Sequence, residues 1–140
     1  MSSIRELTEK YKTLDSELIP QSNEAIDPSC LLVFDYEYPG NTAEVVIDTE
    51  VFTALCPWTN LPDFGAVNIC YVPDHSCIEL KSLKYYLLSY RSVGIVQEHA
   101  ANRILMDLVA VCQPVHMTVE LDYQVRGGLH TSVTVRYEKP

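Results

Sequence analysis

The chain has 140 residues, 47% of them hydrophobic, which suits one domain with a packed core and excludes wholesale disorder. Nineteen acidic against ten basic residues give a formal charge of -9, so most of the surface repels polyanions and direct nucleic-acid binding is not expected. No apolar run approaches the roughly 18 residues of a membrane span and residues 1–29 are polar, so a soluble, cytoplasmic protein with no membrane partner is expected.

Ile4, Leu7, Tyr11, Leu14 and Leu18 recur at spacings of three and four, predicting an amphipathic helix over residues 1–19 ended by Pro20. Residues 20–29, with Pro20, Ser22, Asn23, Pro28 and Ser29, read as a linker, which divides the chain into an N-terminal helix and linker (1–28) and a folded domain (29–140). From Cys30 the period changes to two. Leu32, Phe34, Tyr36 and Tyr38 alternate with Asp35 and Glu37 up to Pro39-Gly40-Asn41, then Ala43, Val45 and Ile47 alternate with Glu44 and Asp48, predicting a hairpin.

Next comes Leu55-Cys56-Pro57-Trp58-Thr59-Asn60-Leu61-Pro62-Asp63-Phe64-Gly65, a loop with a thiol and a carboxyl seven positions apart. A thiol is the most nucleophilic side chain available even near its reference pKa of about 8.5. An ordinary Asp has no proton to give at neutral pH, but Trp58, Leu61 and Phe64 are candidates for dry walls that raise Asp63. A buried structural Cys with a turn-capping Asp is the alternative. A third strand is expected from Gly65 to about Val72 and a short extended piece to about Leu80.

Ser82 has the character of a helix N-cap, followed by Leu83, Tyr86, Leu87 and Tyr90 at helical spacing. Lys81, Lys84 and Arg91 lie in a stretch, 80–91, that contains no acid and could hold a small anion. A second helix is expected over Gln97–Cys112, with Ala101, Leu105, Leu108 and Cys112 as its stripe and Arg103 and Asp107 as an i,i+4 pair. Met117 to Val125 and Leu129 to Tyr137 alternate strictly about Arg126-Gly127-Gly128, predicting an antiparallel hairpin with one wet face. Strands, two helices, then strands describe an α+β domain with helices on one face of an antiparallel sheet.

The segment Glu79-Leu80-Lys81-Ser82-Leu83-Lys84-Tyr85-Tyr86 resembles the signature of the NADPH-dependent 7-cyano-7-deazaguanine reductases, the nitrile reductases of queuosine biosynthesis. The Cys56–Asp63 loop, Gln97-Glu98 and Arg126-Gly127-Gly128 resemble three further motifs of that family in the same order, over about residues 30–140. The resemblance implies a tunnelling fold, ββααββ units joined edge to edge into an oligomeric barrel, in short chains of this type two stacked pentamers with sites between subunits. It also implies NADPH as cofactor, with Cys56 as the nucleophile that forms a thioimidate with the nitrile and Asp63 as the proton donor. Gln97 and Glu98 would bind the deazaguanine with the backbone of Ile78, Glu79 and Leu80, and Lys81, Ser82, Lys84, Arg126 and Gly127 would receive the cofactor. Many relatives have His immediately before the substrate-binding Glu. Gln97 stands there in this chain and can hydrogen-bond but not carry a proton.

Two other readings fit parts of the sequence. Cys56, His75, Cys77 and His99 supply zinc-ligand types for a GTP cyclohydrolase-like enzyme of the same superfamily, although their spacing matches no recognised zinc pattern and no metal is expected. A non-catalytic purine-binding member would use the same scaffold but needs neither Cys56 nor Asp63. The five cysteines, odd in number and without a C-x-x-C pair, point to reduced thiols.

Overall fold

In a computed structural model the described residues are 2–17 and 19–140, with 15–17 described in backbone only. They run α1 (Ile4–Glu17), β1 (Val33–Asp35), β2 (Val45–Leu55), β3 (Pro62–Val72), β4 (Ser76–Ile78), α2 (Leu80–Leu88), α3 (Gln97–Cys112), β5 (His116–Tyr123) and β6 (Ser132–Glu138), with single 3-10 turns at Asn23–Ala25 and Pro28–Cys30. Strands β2, β3, β5 and β6, in that order, form one antiparallel sheet, and β1 pairs with β4 apart from it. No helix among the described residues is long and apolar enough to cross a membrane.

Alternation builds the core. Val67, Ile69 and Tyr71 of β3 and Met117, Val119, Leu121 and Tyr123 of β5 turn the same face toward the helices, and all are buried. On α3, Ala100, Ala101, Ile104, Leu105, Leu108 and Cys112 complete the contact, so the stripe expected from the sequence is the buried one. Burying a side chain the size of Leu or Ile stabilises by about 1.5–3 kcal/mol, and this stripe fixes α3 on the sheet.

A polar lock holds the two helices together within this apolar layer. The Tyr86 hydroxyl donates to Asp107 Oδ2 at 2.6 Å and lies 2.8 Å from the Tyr90 hydroxyl, while Arg103 Nε donates to the same carboxylate oxygen at 2.8 Å. The i,i+4 pair read from the sequence is thus part of a network that ties α3 to α2.

Several expectations are corrected. Residues 32–38 do not form a hairpin with 43–48. Only Val33–Asp35 is a strand, and its partner is β4, with Val33 opposite Ile78. Alternation reports which faces differ in polarity and says nothing of the partner. β2 runs on to Leu55 because a register shift between Thr49 and Phe52 switches its buried phase, and the bulge leaves Val51 83% exposed. The N-cap of α2 is Glu79, whose carboxylate accepts from the backbone N–H groups of Lys81 and Ser82 at 2.8 and 2.7 Å. Ser82 is buried instead, its hydroxyl accepting from the Leu32 N–H at 2.9 Å.

Residues 20–29 are not a free linker. Gln21 bridges Val93, its N–H donating to the Ser92 carbonyl at 2.7 Å, and Ile26 is buried in the core. Before them α1 opens with a reciprocal capping box, the Ser3 N–H donating to Glu6 Oε2 at 2.7 Å and the Glu6 N–H to Ser3 Oγ at 3.2 Å. Its stripe of Ile4, Leu7, Tyr11 and Leu14 is exposed, and Leu18, the last member of the expected stripe, lies outside the described residues.

Candidate active site

Cys56 occupies the turn between β2 and β3. Its N–H donates to the Leu61 carbonyl at 2.9 Å, its own carbonyl accepts from the Asn60 N–H at 2.8 Å, and Asn60 takes a left-handed φ of 58° to close the loop. Asp63 follows on β3, opposite Ala54, on the face turned toward the helices. Residues 93–95 run beside the end of β2, with the Leu55 N–H donating to the Val93 carbonyl at 2.9 Å and the Ile95 N–H to the Leu55 carbonyl at 3.1 Å. That pairing delivers Gln97 and Glu98, the first turn of α3, to the mouth of the Cys56 loop.

The fourth side is the β5–β6 hairpin. Arg126 and Leu129 exchange N–H to carbonyl bonds of 3.0 Å across Gly127 and Gly128, whose φ angles of 59° and 78° are those of a two-residue primed turn. Gly127 therefore serves the turn. Near the hairpin's base, the Gln124 N–H donates to the Phe64 carbonyl at 2.9 Å. Gly65 permits the close approach of β5, since a Cβ there would meet the Asp122 carbonyl oxygen at 2.8 Å.

These elements enclose a cleft of about 180 Å³ lined by Cys56, Trp58, Asp63, Gln97, Glu98 and Arg126, with Gln124, Leu129 and Thr131 from the hairpin. Cys56 and Asp63 are 3% and 7% exposed. The Arg126 guanidinium donates from one terminal nitrogen to Asp63 Oδ1 and lies with the other 3.7 Å from Cys56 Sγ. Burial opposes ionisation of the Cys56 thiol, but hydrogen bonds from the Thr59 side chain, the Thr59 and Trp58 backbone and Arg126 outweigh it and hold the thiol below its ordinary value. For Asp63 burial wins over the attraction of Arg126, and its carboxyl is pushed up.

The raised carboxyl was expected, but its walls differ. Trp58, Leu61 and Phe64 are 82%, 51% and 51% exposed, and Asp63 is dry because β3 turns it inward beside Tyr123. The other site residues named from the sequence lie elsewhere. Ile78, Glu79 and Leu80 line a separate groove with Phe34, Val45, Val46 and Ile47, and Lys84 lines a third with Arg91. Lys81 is exposed on the first turn of α2. Arg126, grouped with these lysines in the sequence, belongs to the Cys56 cleft. Thr59, Gln124 and Thr131 were missed there, and Thr59 alone had a local signal, its place inside the Cys56 loop. Among the described residues no three His, Cys, Asp or Glu side chains gather as a metal site would need, so the zinc-ligand candidates Cys56, His75, Cys77 and His99 do not converge.

The family model for QueF-like proteins matches residues 62–140, more than half of the chain. A chain from Caldanaerobacter subterraneus subsp. tengcongensis, named NADPH-dependent 7-cyano-7-deazaguanine reductase, is 47% identical over 133 residues, covering 95% of this chain and 98% of that one. The chain belongs to the QueF-like family. A reductase of the same name from Caldicellulosiruptor bescii is 52% identical over 116 residues, covering 83% of this chain and 88% of its own. The crystal structure of an archaeosine synthase QueF-Like in the apo form superposes with a TM-score of 0.64 at 22% identity, over 69% of this chain and 94% of that one. It shares the fold: the β2–β3, α2–α3, β5–β6 order of this QueF-like chain is the ββααββ unit expected from the resemblance.

Proposed function

We propose that this chain reduces the nitrile of 7-cyano-7-deazaguanine to the primary amine of 7-aminomethyl-7-deazaguanine, with NADPH as reductant, in queuosine biosynthesis. The observation that carries the reading is the convergence of Cys56, Asp63 and Glu98 in one cleft from three separate elements. A lowered thiol beside a raised carboxyl is the combination that attack on a nitrile requires. Cys56 supplies the sulfur that bonds to the nitrile carbon, and Asp63 passes its proton to the nitrogen, giving a covalent thioimidate. Glu98 accepts from the ring N–H and exocyclic amine of the guanine-like edge, and Gln97 adds a neutral hydrogen-bonding group.

NADPH, when bound, supplies the hydrides that carry the thioimidate to the amine. Lys81 and Lys84 fit its phosphates: both are exposed on α2, neither is in an ion pair among the described residues, and no acid lies between residues 80 and 91. Ser82 holds the turn that presents Lys81, its side chain being committed to the fold. Gly127 shapes the tip that bears Arg126, which faces the reacting groups.

The site is completed by a second copy of the chain. The Cys56 cleft is smaller than the roughly 300–1,000 Å³ usual for a ligand pocket. Ile78, Glu79 and Leu80, the other half of the expected substrate pocket, line a different groove of the same chain. Among the described residues β2 and β6 are the outer strands of the sheet, β2 being covered on its outer side only at Leu55 by residues 93–95, and closure of units into a ring, as two stacked pentamers, removes both edges.

The test is loss of NADPH absorbance with 7-cyano-7-deazaguanine, alongside Cys56→Ala and Asp63→Asn and a light-scattering mass. The Ala variant is expected to form no adduct and the Asn variant to bind without turnover. Ordinary turnover by Cys56→Ala would remove the covalent mechanism, and a fully active monomer would remove the shared site.

A further inference from the structure

Arg126 is the one charged group in the Cys56 cleft whose position the proposed chemistry leaves unexplained. It stands on the two-glycine turn between β5 and β6, half exposed, yet both ends of its guanidinium point inward to groups at least nine-tenths buried. We propose that Arg126 is a positioning residue that serves as common counter-ion to Cys56 and Asp63, compensating a single negative charge that moves from the sulfur to the carboxylate when the nitrile is attacked.

The argument is one of charge and geometry. Before attack the pair holds one proton between them, and the arrangement that reacts is thiolate on Cys56 with carboxylic acid on Asp63. In the covalent step the Sγ–C bond forms, a pair of C≡N π electrons moves to nitrogen, and the Asp63 proton follows it. The product is a neutral thioimidate with an Asp63 carboxylate. The charge has left one of Arg126's partners and appeared on the other. A planar guanidinium with separate N–H groups on the two partners compensates both arrangements without moving, whereas an ammonium is a single point charge. This identification of the acceptor as a nitrile rests on the proposed function; the bridge itself does not.

Few other charges compete. Lining the cleft with Cys56 are Asp63 from β3, Glu98 from α3 and Arg126 from the hairpin, with Gln97, Gln124 and Thr131 as neutral polar groups, and Thr59 hydrogen-bonds Cys56 from its own loop. Tyr123 of β5 faces Asp63 and Glu98, and burial first, then those two charges, keeps its phenol protonated. Among the described residues that line the cleft, Arg126 is thus the cation that offsets Glu98 and the one charge shared by Cys56 and Asp63.

Its effect is measurable without nitrile or NADPH. Iodoacetamide labelling of Cys56 in the purified full-length protein, followed by peptide mass between about pH 5 and 9, reports the thiolate fraction. Arg126→Gln is expected to move the midpoint upward by about one pH unit, slowing labelling about tenfold on the acid side, and Arg126→Lys to recover part of the shift. Asp63→Asn, which removes the rival anion, is expected to move the midpoint down. Cys112, 2% exposed, serves as an internal monitor of unfolding and should remain unlabelled in all three. An unchanged midpoint in Arg126→Lys and Arg126→Gln, or an upward shift in Asp63→Asn, overturns the proposal. Since no nitrile is present, that failure is distinct from absence of reductase activity.

Discussion

Replacing Gly65 by Ala tests how tightly the fold sets the distance between the reacting groups. The added Cβ would lie 2.8 Å from the Asp122 carbonyl oxygen and 3.2 Å from Tyr123 Cα, both backbone atoms that cannot rotate away. Ordinary contact begins at 3.4 Å, so β5 must withdraw from β3 by the difference, about 0.6 Å. Overpacking of this kind costs about 1–3 kcal/mol. The strands separate at the base of the hairpin that carries Arg126, next to the bond from the Gln124 N–H to the Phe64 carbonyl. Misplacement of about 1 Å can cost roughly a hundredfold in rate, so 0.6 Å should cost roughly tenfold in kcat. Urea unfolding followed by circular dichroism gives the first quantity and NADPH oxidation the second. Wild-type stability together with wild-type kcat would refute the reasoning, because the strands could then separate at no cost and the hairpin would not set the site.

Asp63→Asn should leave stability at pH 8 unchanged or raised. The folded carboxyl is pushed up by burial, so the native state binds its proton more readily than the unfolded chain; its stabilising contribution is present below the unfolded pKa of about 3.9 and is lost as pH rises through the folded value. Asn removes that penalty but leaves Arg126 without its partner, and thermal melts at pH 5 and pH 8 separate the two effects; a marked loss at pH 8 would show that the ion pair wins. Glu98→Gln should weaken binding of the nitrile base by about 10- to 100-fold by calorimetry, as expected when a hydrogen-bonded charge is lost. Tyr86→Phe should destabilise by about 1–3 kcal/mol in urea, because the Asp107 carboxylate loses a buried donor at 2.6 Å; an unchanged midpoint would show the lock to be dispensable. Leu108→Ala, at a fully buried position of the α3 stripe, should cost about 2–5 kcal/mol by the same measurement.

Where the fold follows one period, the residues announced it. Helix α3 occupies Gln97–Cys112 as its spacing demanded, and the β5–β6 hairpin lies about its glycines. Only the first half of β2 was read, because a bulge reverses its phase half-way, and β1 was given the wrong partner because its true one lies more than 40 positions along the chain. Helix α2 was recognised but its first residue was not: Ser82 and Glu79 can both cap, and the choice depends on Leu32, which calls the serine hydroxyl inward. At the site, Cys56, Asp63 and Glu98 were legible as residue types in family motifs. The contact of Arg126 with Asp63 and the sulfur was not, since it depends on where hairpin register turns that side chain, which residue types do not state.

The tyrosine and aspartate lock between α2 and α3 has one more consequence. The same short rods that open with Glu79 and Lys81 on one side and Glu98 on the other are bolted by hydroxyl and carboxylate deep in the apolar layer. A tilt of either rod would have to break those buried bonds or carry the other rod with it, so the first turns of α2 and α3 are held in one fixed relation.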